Sequence, residues 1–144
     1  MSGTLFGPEP DRASADAALV RAYERAGRTL DDLPYTDAFE SLIAEMRTVE
    51  PHAEHRAVFH RLHNLRKAGK LPRLGRASSS PPKLDYEHEQ LLIGLVTDAA
   101  GRMGQRDRLP FTEDFDRLAA AFNTTTGLQL SHHDLWRVIA KLAK

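Results

Sequence analysis

The stretch LPYTDAFESLIAEM, residues 33–46, recurs 76 residues later as LPFTEDFDRLAAAF, residues 109–122. The first four residues differ only in Tyr35, which is replaced by Phe111. The apolar positions that follow match at the same offset: Phe39 with Phe115, Leu42 with Leu118 and Met46 with Phe122. A match of this length in one register predicts an internal duplication. Threonine is a preferred helix N-cap, so we expect each copy to start a helix there.

Two more helices are predicted around this one in the first copy. Ser14 is expected to cap a helix that runs to about Leu30 and is apolar along one side. Thr36 then starts the second helix. Pro51 suits the first position of a third helix, and Gly69 suits its end.

The second copy follows the same plan. Asp85 is expected to cap its first helix, which extends as far as Met103. Residues 123–127 are predicted to form a turn, and Ser131 is predicted to cap the last helix.

This organisation predicts an all-α protein of two tandem three-helix repeats, with six helices in total. The predicted boundaries are a flexible N-terminus over 1–13, a first repeat over 14–69, a basic linker rich in proline and serine over 70–83, and a second repeat over 84–144.

Composition narrows the class of protein. Apolar residues make up 41% of the chain, which is enough for a core, and the absence of cysteine excludes disulfides, thiolate zinc sites and cysteine nucleophiles. No stretch approaches the roughly 18 apolar residues of a membrane span, and the first residues do not resemble a signal peptide. We therefore expect a soluble cytoplasmic protein, associated with the nucleoid if the cell is bacterial, and no membrane partner.

Charge is distributed unevenly along a chain that is neutral overall. Residues 55–84 hold eight basic side chains and no acidic one, whereas residues 1–54 carry a net charge of −6 and residues 85–144 one of −2. A concentrated positive block of this kind favours binding to a polyanion.

The predicted third helix of each repeat carries a basic stripe. With Val58 and Phe59 in the core, helix 52–68 would expose Arg56, His60, His63, Asn64 and Lys67. With one inserted residue in the alignment, the corresponding positions of helix 131–144 are His133, Arg137, Ala140, Lys141 and Lys144. Such a face suits the major groove of double-stranded DNA, where arginine contacts guanine, asparagine contacts adenine and lysine holds phosphates.

The basic arm over residues 70–76 follows the first of these helices and is expected to contact a DNA backbone or minor groove. The candidate nucleic-acid-binding residues lie on the two helices and this arm: Arg56, His60, Arg61, His63, Asn64, Arg66, Lys67, Lys70, Arg73, Arg76, His133, Arg137, Lys141 and Lys144.

Other interpretations of the basic residues stay open. A basic stripe is often only a solvated helix face, and the arm could be a charged spacer between the repeats. In another class of function, the stripe would dock an acidic protein partner, or the acidic N-terminal half of a second copy.

Histidine is a candidate metal ligand in this sequence, because two H-x-x-H pairs occur close together: His52 with His55, and His60 with His63. Four ligands along one straight helix cannot converge on one ion, since the first and last would lie roughly 16 Å apart at 1.5 Å per residue. We predict no metal site and no cofactor, and expect the histidines to add positive charge below about pH 6.5.

Enzyme motifs are missing. The sequence has no nucleophile elbow, phosphate-binding loop or dinucleotide-binding pattern. The run from Ser131 to Asp134 contains catalytic residue types, but neighbours on one helical turn do not face each other as a triad requires. The pair Asp31 and Asp32 is interpreted as dipole compensation near a helix start. We expect no enzymatic activity.

A family resemblance rests on the aromatic third helices, with Phe59 and Trp136, and on the acidic helix start TEDF that begins at Thr112. These features resemble the tri-helical helix-turn-helix group, in the form of tandem Myb/SANT-like repeats that cover most of the chain. The chain departs from the regular tryptophans of Myb repeats, since it has only Trp136. The resemblance implies DNA contacts by each third helix and a role in transcription or chromosome organisation, while SANT-like relatives also include protein-binding modules.

Overall fold

The computed structural model describes residues 12–75 and 80–144, which are helical apart from their connecting loops. The α-helices within these ranges are α1 (Arg12–Ala26), α2 (Asp37–Met46), α3 (His55–Lys67), α4 (Tyr86–Ala100), α5 (Glu113–Thr126) and α6 (His132–Leu142). A short 3₁₀ helix (Met103–Arg108) lies between α4 and α5. The predicted all-α class with three α-helices in each repeat is confirmed. Of the predicted flexible N-terminus, residues 12 and 13 belong to α1, and residues 1–11 lie outside the described ranges.

The predicted helix caps are confirmed at four positions, whereas Ser14 lies inside α1 and does not cap it. The hydroxyl groups of Thr36 and Thr112 each accept a hydrogen bond of 3.2 Å from the backbone N–H three residues later. Asp85 and Ser131 cap α4 and α6 in the same way, at 2.8 and 3.1 Å. Each cap satisfies an amide that the helix itself leaves without a partner.

Several predicted boundaries are wrong in the first repeat. The first helix does not reach Leu30, because Gly27 takes a positive φ of 69° and ends it. The third helix does not start at Pro51. Residues 51–54 form a loop in which the guanidinium of Arg47 donates to the carbonyl of Ala53 at 2.9 Å, so that the helix begins only at His55.

Two boundaries also differ in the second repeat. Gly101, with φ of 90°, ends α4 before Met103, which belongs to the unpredicted 3₁₀ helix. The predicted turn over 123–127 is mostly helical, since α5 continues to Thr126. The amide of Asn123 does not break the helix because it bonds both the N–H and the carbonyl of Leu130, at 3.1 and 3.0 Å, and thereby fixes the following loop.

The two repeats share one hydrophobic core. The rings of Phe59 in α3 and Trp136 in α6, which occupy aligned positions, meet edge to face at 5.5 Å. The indole N–H of Trp136 donates to the carbonyl of Leu30 in the first repeat at 3.2 Å. Both rings are almost fully buried. The third helices are therefore joined across the boundary between the repeats.

The duplicated LP-aromatic-T segments also lie against each other. The ring of Tyr35 packs on that of Phe111 at 4.4 Å, and the Tyr35 hydroxyl accepts a 2.6 Å hydrogen bond from the backbone N–H of Phe111. Both residues have positive φ values, 65° and 66°, which are rare for aromatic residues. In each segment the threonine hydroxyl donates to the leucine carbonyl at 2.6 Å, so the same local turn is built twice.

Each of these rings enters the aromatic cluster of the other repeat. Tyr35 contacts His132 at 5.1 Å, and Phe111 contacts His55 at the same distance. The two histidines occupy aligned positions and are held in the same way, His55 by Glu40 at 2.8 Å and His132 by Asp116 at 2.9 Å. The contact between the repeats is therefore close to symmetric.

The linker is anchored at both described ends. Leu71, Leu74 and Leu84 are half-buried and pack against the core. Over residues 12–75 and 80–144, no helix combines the length and hydropathy required to cross a bilayer.

We expect Tyr35→Phe to reduce the free energy of unfolding by about 1 to 3 kcal/mol, because it leaves the N–H of Phe111 without its acceptor and removes nothing else. Urea denaturation followed by circular dichroism measures this. Tyr86→Phe is the control, since Tyr86 is 72% exposed. Equal stability of the two variants would contradict a structural role for the hydroxyl.

Candidate nucleic-acid interface

The outer face of α3 is exposed as the sequence predicts, apart from one residue. Arg56, His60, Asn64 and Lys67 follow one another along this face and are all solvent-exposed. His60 also faces Asp107 of the 3₁₀ helix, with 3.7 Å between its Nδ1 and the carboxylate. We call these four residues the α3 outer face.

The expected exposure of His63 is wrong. Its side chain is 2% exposed, its ring meets Phe59 edge to face at 4.6 Å, and its Nδ1 lies 3.3 Å from the guanidinium of Arg66. Its Nε2 is buried without a hydrogen-bond partner. Burial, and then the nearby charge of Arg66, lower the pKa of His63 to about 4. His63 is thus a neutral core residue near pH 7, and it does not add charge at about pH 6.

The predicted exposure of the basic stripe on α6 is also wrong, because most of this helix is buried in the protein. Residues 135–140 are all buried, and Arg137 is only 6% exposed. Its Nε lies 3.3 Å from the carboxylate of Asp32, which His133 contacts at 3.0 Å. Arg28 donates to the same carboxylate at 2.8 Å. Asp32, itself 1% exposed, therefore holds α6 against the first repeat.

The acidic pair near residue 31 thus has a different role from the predicted dipole compensation. Asp31 forms an ion pair with Lys144, just beyond α6, at 2.6 Å, and Asp32 contacts Arg137 of α6, so the partners of both carboxylates lie at α6 rather than α2. The sequence contained a signal that was missed: α2 starts only at Asp37, so these carboxylates are too far from its first turn to stabilise it.

A groove with a volume of about 970 Å³ lies between the end of α3, the following arm and the end of α6. Its charged lining consists of Arg66, Arg73, Arg137, Lys141, Lys144 and one acid, Asp31. Among the described residues, Arg66, Arg73 and Lys141 form no ion pair with a carboxylate, so their charges are available to a ligand. We call this the cationic groove.

The remaining candidate residues are spread more widely. Arg61 is used internally, since it binds Glu50 at 2.8 Å and Asp16 at 3.4 Å. Lys70 is exposed on the arm, and Arg76 lies outside the described residues. No group of three histidine, aspartate or glutamate side chains is placed to hold a metal ion in residues 12–75 and 80–144.

Comparison with known proteins gives no match for this chain, whether with family models, curated proteins or solved structures.

The buried His63 gives a prediction on pH. Because its folded pKa of about 4 lies below the ordinary 6.5, the unfolded chain binds more protons between these values, and stability falls as the pH is lowered from 6.5 to 4. The full loss is about 3 kcal/mol. We expect His63→Leu to remove this part of the pH dependence, which urea denaturation at pH 7, 5.5 and 4 measures.

The groups around His63 are Arg66 and Lys67 on α3 and Arg106 and Asp107 on the 3₁₀ helix. Because these groups are present in both proteins, the difference in stability between wild type and variant is the quantity to compare. A difference that stays constant with pH would contradict the burial of a neutral imidazole.

Proposed function

We propose that this protein binds double-stranded DNA, with α3 as its recognition helix and the cationic groove as a phosphate-binding surface. The observation that carries the proposal is the convergence of basic side chains from three separate segments on one groove, at the end of the helix that exposes a basic face. Polyanion binding rests on such clusters of unpaired cations.

The α3 outer face suits base recognition. With 13 residues α3 is about 20 Å long, and a helix of this kind fits the major groove. Arg56 and Asn64 have the donors that contact guanine and adenine, while Lys67 lies at the end nearer the arm and would hold a phosphate.

The proposal keeps one part of the Myb/SANT-like resemblance, namely a third helix that contacts DNA. The resemblance predicts two recognition helices, one in each repeat, but residues 135–140 of α6 are buried, and the exposed basic residues are Lys141 near its end and Lys144 just beyond it. One helix therefore reads bases, and the second repeat contributes phosphate contacts. A role in transcription or chromosome organisation in the cytoplasm or nucleoid, without enzymatic activity, belongs to the same proposal.

We expect Lys67→Gln with Arg73→Gln to weaken binding to a labelled 20-base-pair duplex roughly tenfold at 0.15 M salt. The slope of log affinity against log salt should become shallower by about two, since each phosphate contact contributes about 0.9. Fluorescence anisotropy at several salt concentrations measures both quantities.

The matched control is Arg21→Gln with Arg102→Gln, which removes the same charge from exposed positions outside the groove and off α3. If both double variants lose the same affinity, the binding depends only on net charge. If the wild type binds no duplex at low salt, DNA binding itself is wrong.

A second candidate function is docking of an acidic protein segment. It is favoured by the apolar part of the groove lining, which includes Leu30, Leu71, Leu74 and Pro81 beside the basic residues. A phosphodiester backbone makes no use of such a surface, whereas an acidic peptide with apolar side chains would cover it.

We expect Leu71→Ser to weaken binding of a peptide of alternating leucine and glutamate at least fivefold if the groove docks such segments, because it removes apolar area from the groove wall. The control is Leu84→Ser, at a half-buried leucine that directly follows the linker and does not line the groove. Anisotropy with the peptide and with duplex DNA separates the two functions, since only peptide affinity should respond to Leu71.

A further inference from the structure

The contacts that the two third helices make with the opposite repeat can be compared position by position. α6 meets the loop that contains Asp31 and Asp32, and α3 meets the 3₁₀ helix. At the offset of 76, Asp107 and Arg108 of the 3₁₀ helix occupy the positions of Asp31 and Asp32. The same comparison aligns Arg56 of α3 with His133 of α6, at the offset of 77 that follows the inserted residue.

In the α6 contact, carboxylates meet cations. Asp32 lies 3.0 Å from the imidazole of His133, and Asp31 lies 2.6 Å from the ammonium of Lys144. The Asp32 carboxylate is buried and is shared by three basic side chains, so its charge is neutralised inside the protein.

In the α3 contact, neither pair is kept. Asp107, which aligns with Asp31, faces His60, whereas the counterpart of Lys144 is Lys67. Where the His133 imidazole contacts the Asp32 carboxylate in the first contact, the second has Arg56 and Arg108, two cations that line one cavity of about 360 Å³. The exchange replaces a carboxylate by a guanidinium at the aligned position.

The same cavity contains acids, but another arginine uses them. Arg117 donates to Glu113 at 3.1 Å and to Asp114 at 2.8 Å. Neither Arg56 nor Arg108 forms an ion pair with a carboxylate of residues 12–75 or 80–144. The cavity therefore has two exposed guanidinium groups whose charge the described parts of the chain do not neutralise.

We propose that Arg56 and Arg108 bind one phosphate group together, in the place where the Asp32 carboxylate stands between basic side chains in the other contact. Guanidinium groups bind phosphate oxygens through paired N–H donors, and two of them match the charge of a phosphodiester and its oxygens. Arg56 belongs to the α3 outer face, so this inference rests on the proposed function and extends the DNA interface onto the second repeat.

The test uses Arg108→Asp, which restores the arrangement of the α6 contact by placing a carboxylate beside Arg56. We expect this variant to have a higher Tm than the wild type, because Arg56 gains a carboxylate in the cavity that both side chains line. It should also bind duplex DNA about tenfold more weakly at 0.15 M salt, with a shallower salt dependence. If Arg108 had only a structural role, its substitution by Asp would not both raise the Tm and lower the affinity for duplex DNA.

Four glutamine variants sharpen the test. Arg56→Gln and Arg108→Gln should each weaken duplex binding about fivefold, and the double variant should lose less than the product of the two, because both side chains contact one phosphate. Arg117→Gln is the matched control: it lines the same cavity, but its guanidinium is already paired, so duplex affinity should change less than twofold.

A second measurement keeps the inference separate from DNA binding. Inorganic phosphate should raise the Tm of the wild type by about 2 °C more than that of Arg108→Asp, each measured relative to chloride at equal ionic strength, since the cationic groove and the general salt effect of phosphate are common to both proteins. If phosphate stabilises the wild type more than the variant but no duplex binds, the proposed function fails and the anion site stands. If Arg108→Asp lowers the Tm, or if Arg117→Gln weakens the duplex as much as Arg108→Gln, the inference is overturned.

Discussion

The contact between Phe59 and Trp136 is the interaction on which the rest of the structure depends. It joins the third helices of the two repeats edge to face at 5.5 Å, and the Trp136 N–H binds the carbonyl of Leu30 across the same boundary. Aromatic rings contribute large buried areas, and here both rings are almost fully enclosed. Because this contact occupies the inner side of both third helices, it decides which of their other faces reach solvent, and thereby where a ligand can bind.

The duplication gives the protein a nearly symmetric interface whose two halves differ in charge. The aromatic and histidine contacts of Tyr35 and Phe111 are matched almost residue for residue. The ionic contacts are not, since α6 is held by Asp32 whereas α3 is not held by a carboxylate at the aligned position. Consequently α6 became a structural helix with compensated charge, while α3 kept an exposed basic face.

Local signals in the sequence predicted the fold well. The caps at Thr36 and Thr112 and the repeat offset depend on neighbouring residues, so periodicity and capping rules suffice to find them. The site was harder to predict, because exposure depends on the other repeat. The stripe on α6 has the same spacing as that on α3, yet Arg137 is buried because Asp32, more than 100 residues away, lies opposite it. No pattern within one helix contains that information.

His63 and Arg108 are two further residues whose surroundings could not be predicted from the sequence. His63 was predicted to be exposed and is buried with a lowered pKa, because the 3₁₀ helix that covers it was not predicted. Arg108 was not selected from the sequence, since it stands outside the third helices, and it becomes informative only when its position is compared with that of Asp32. In a duplicated chain, one copy can be compared with the other: the first neutralises a buried carboxylate internally, the second leaves two cations without a carboxylate partner among the described residues, and this difference is the reason for proposing a phosphate site there.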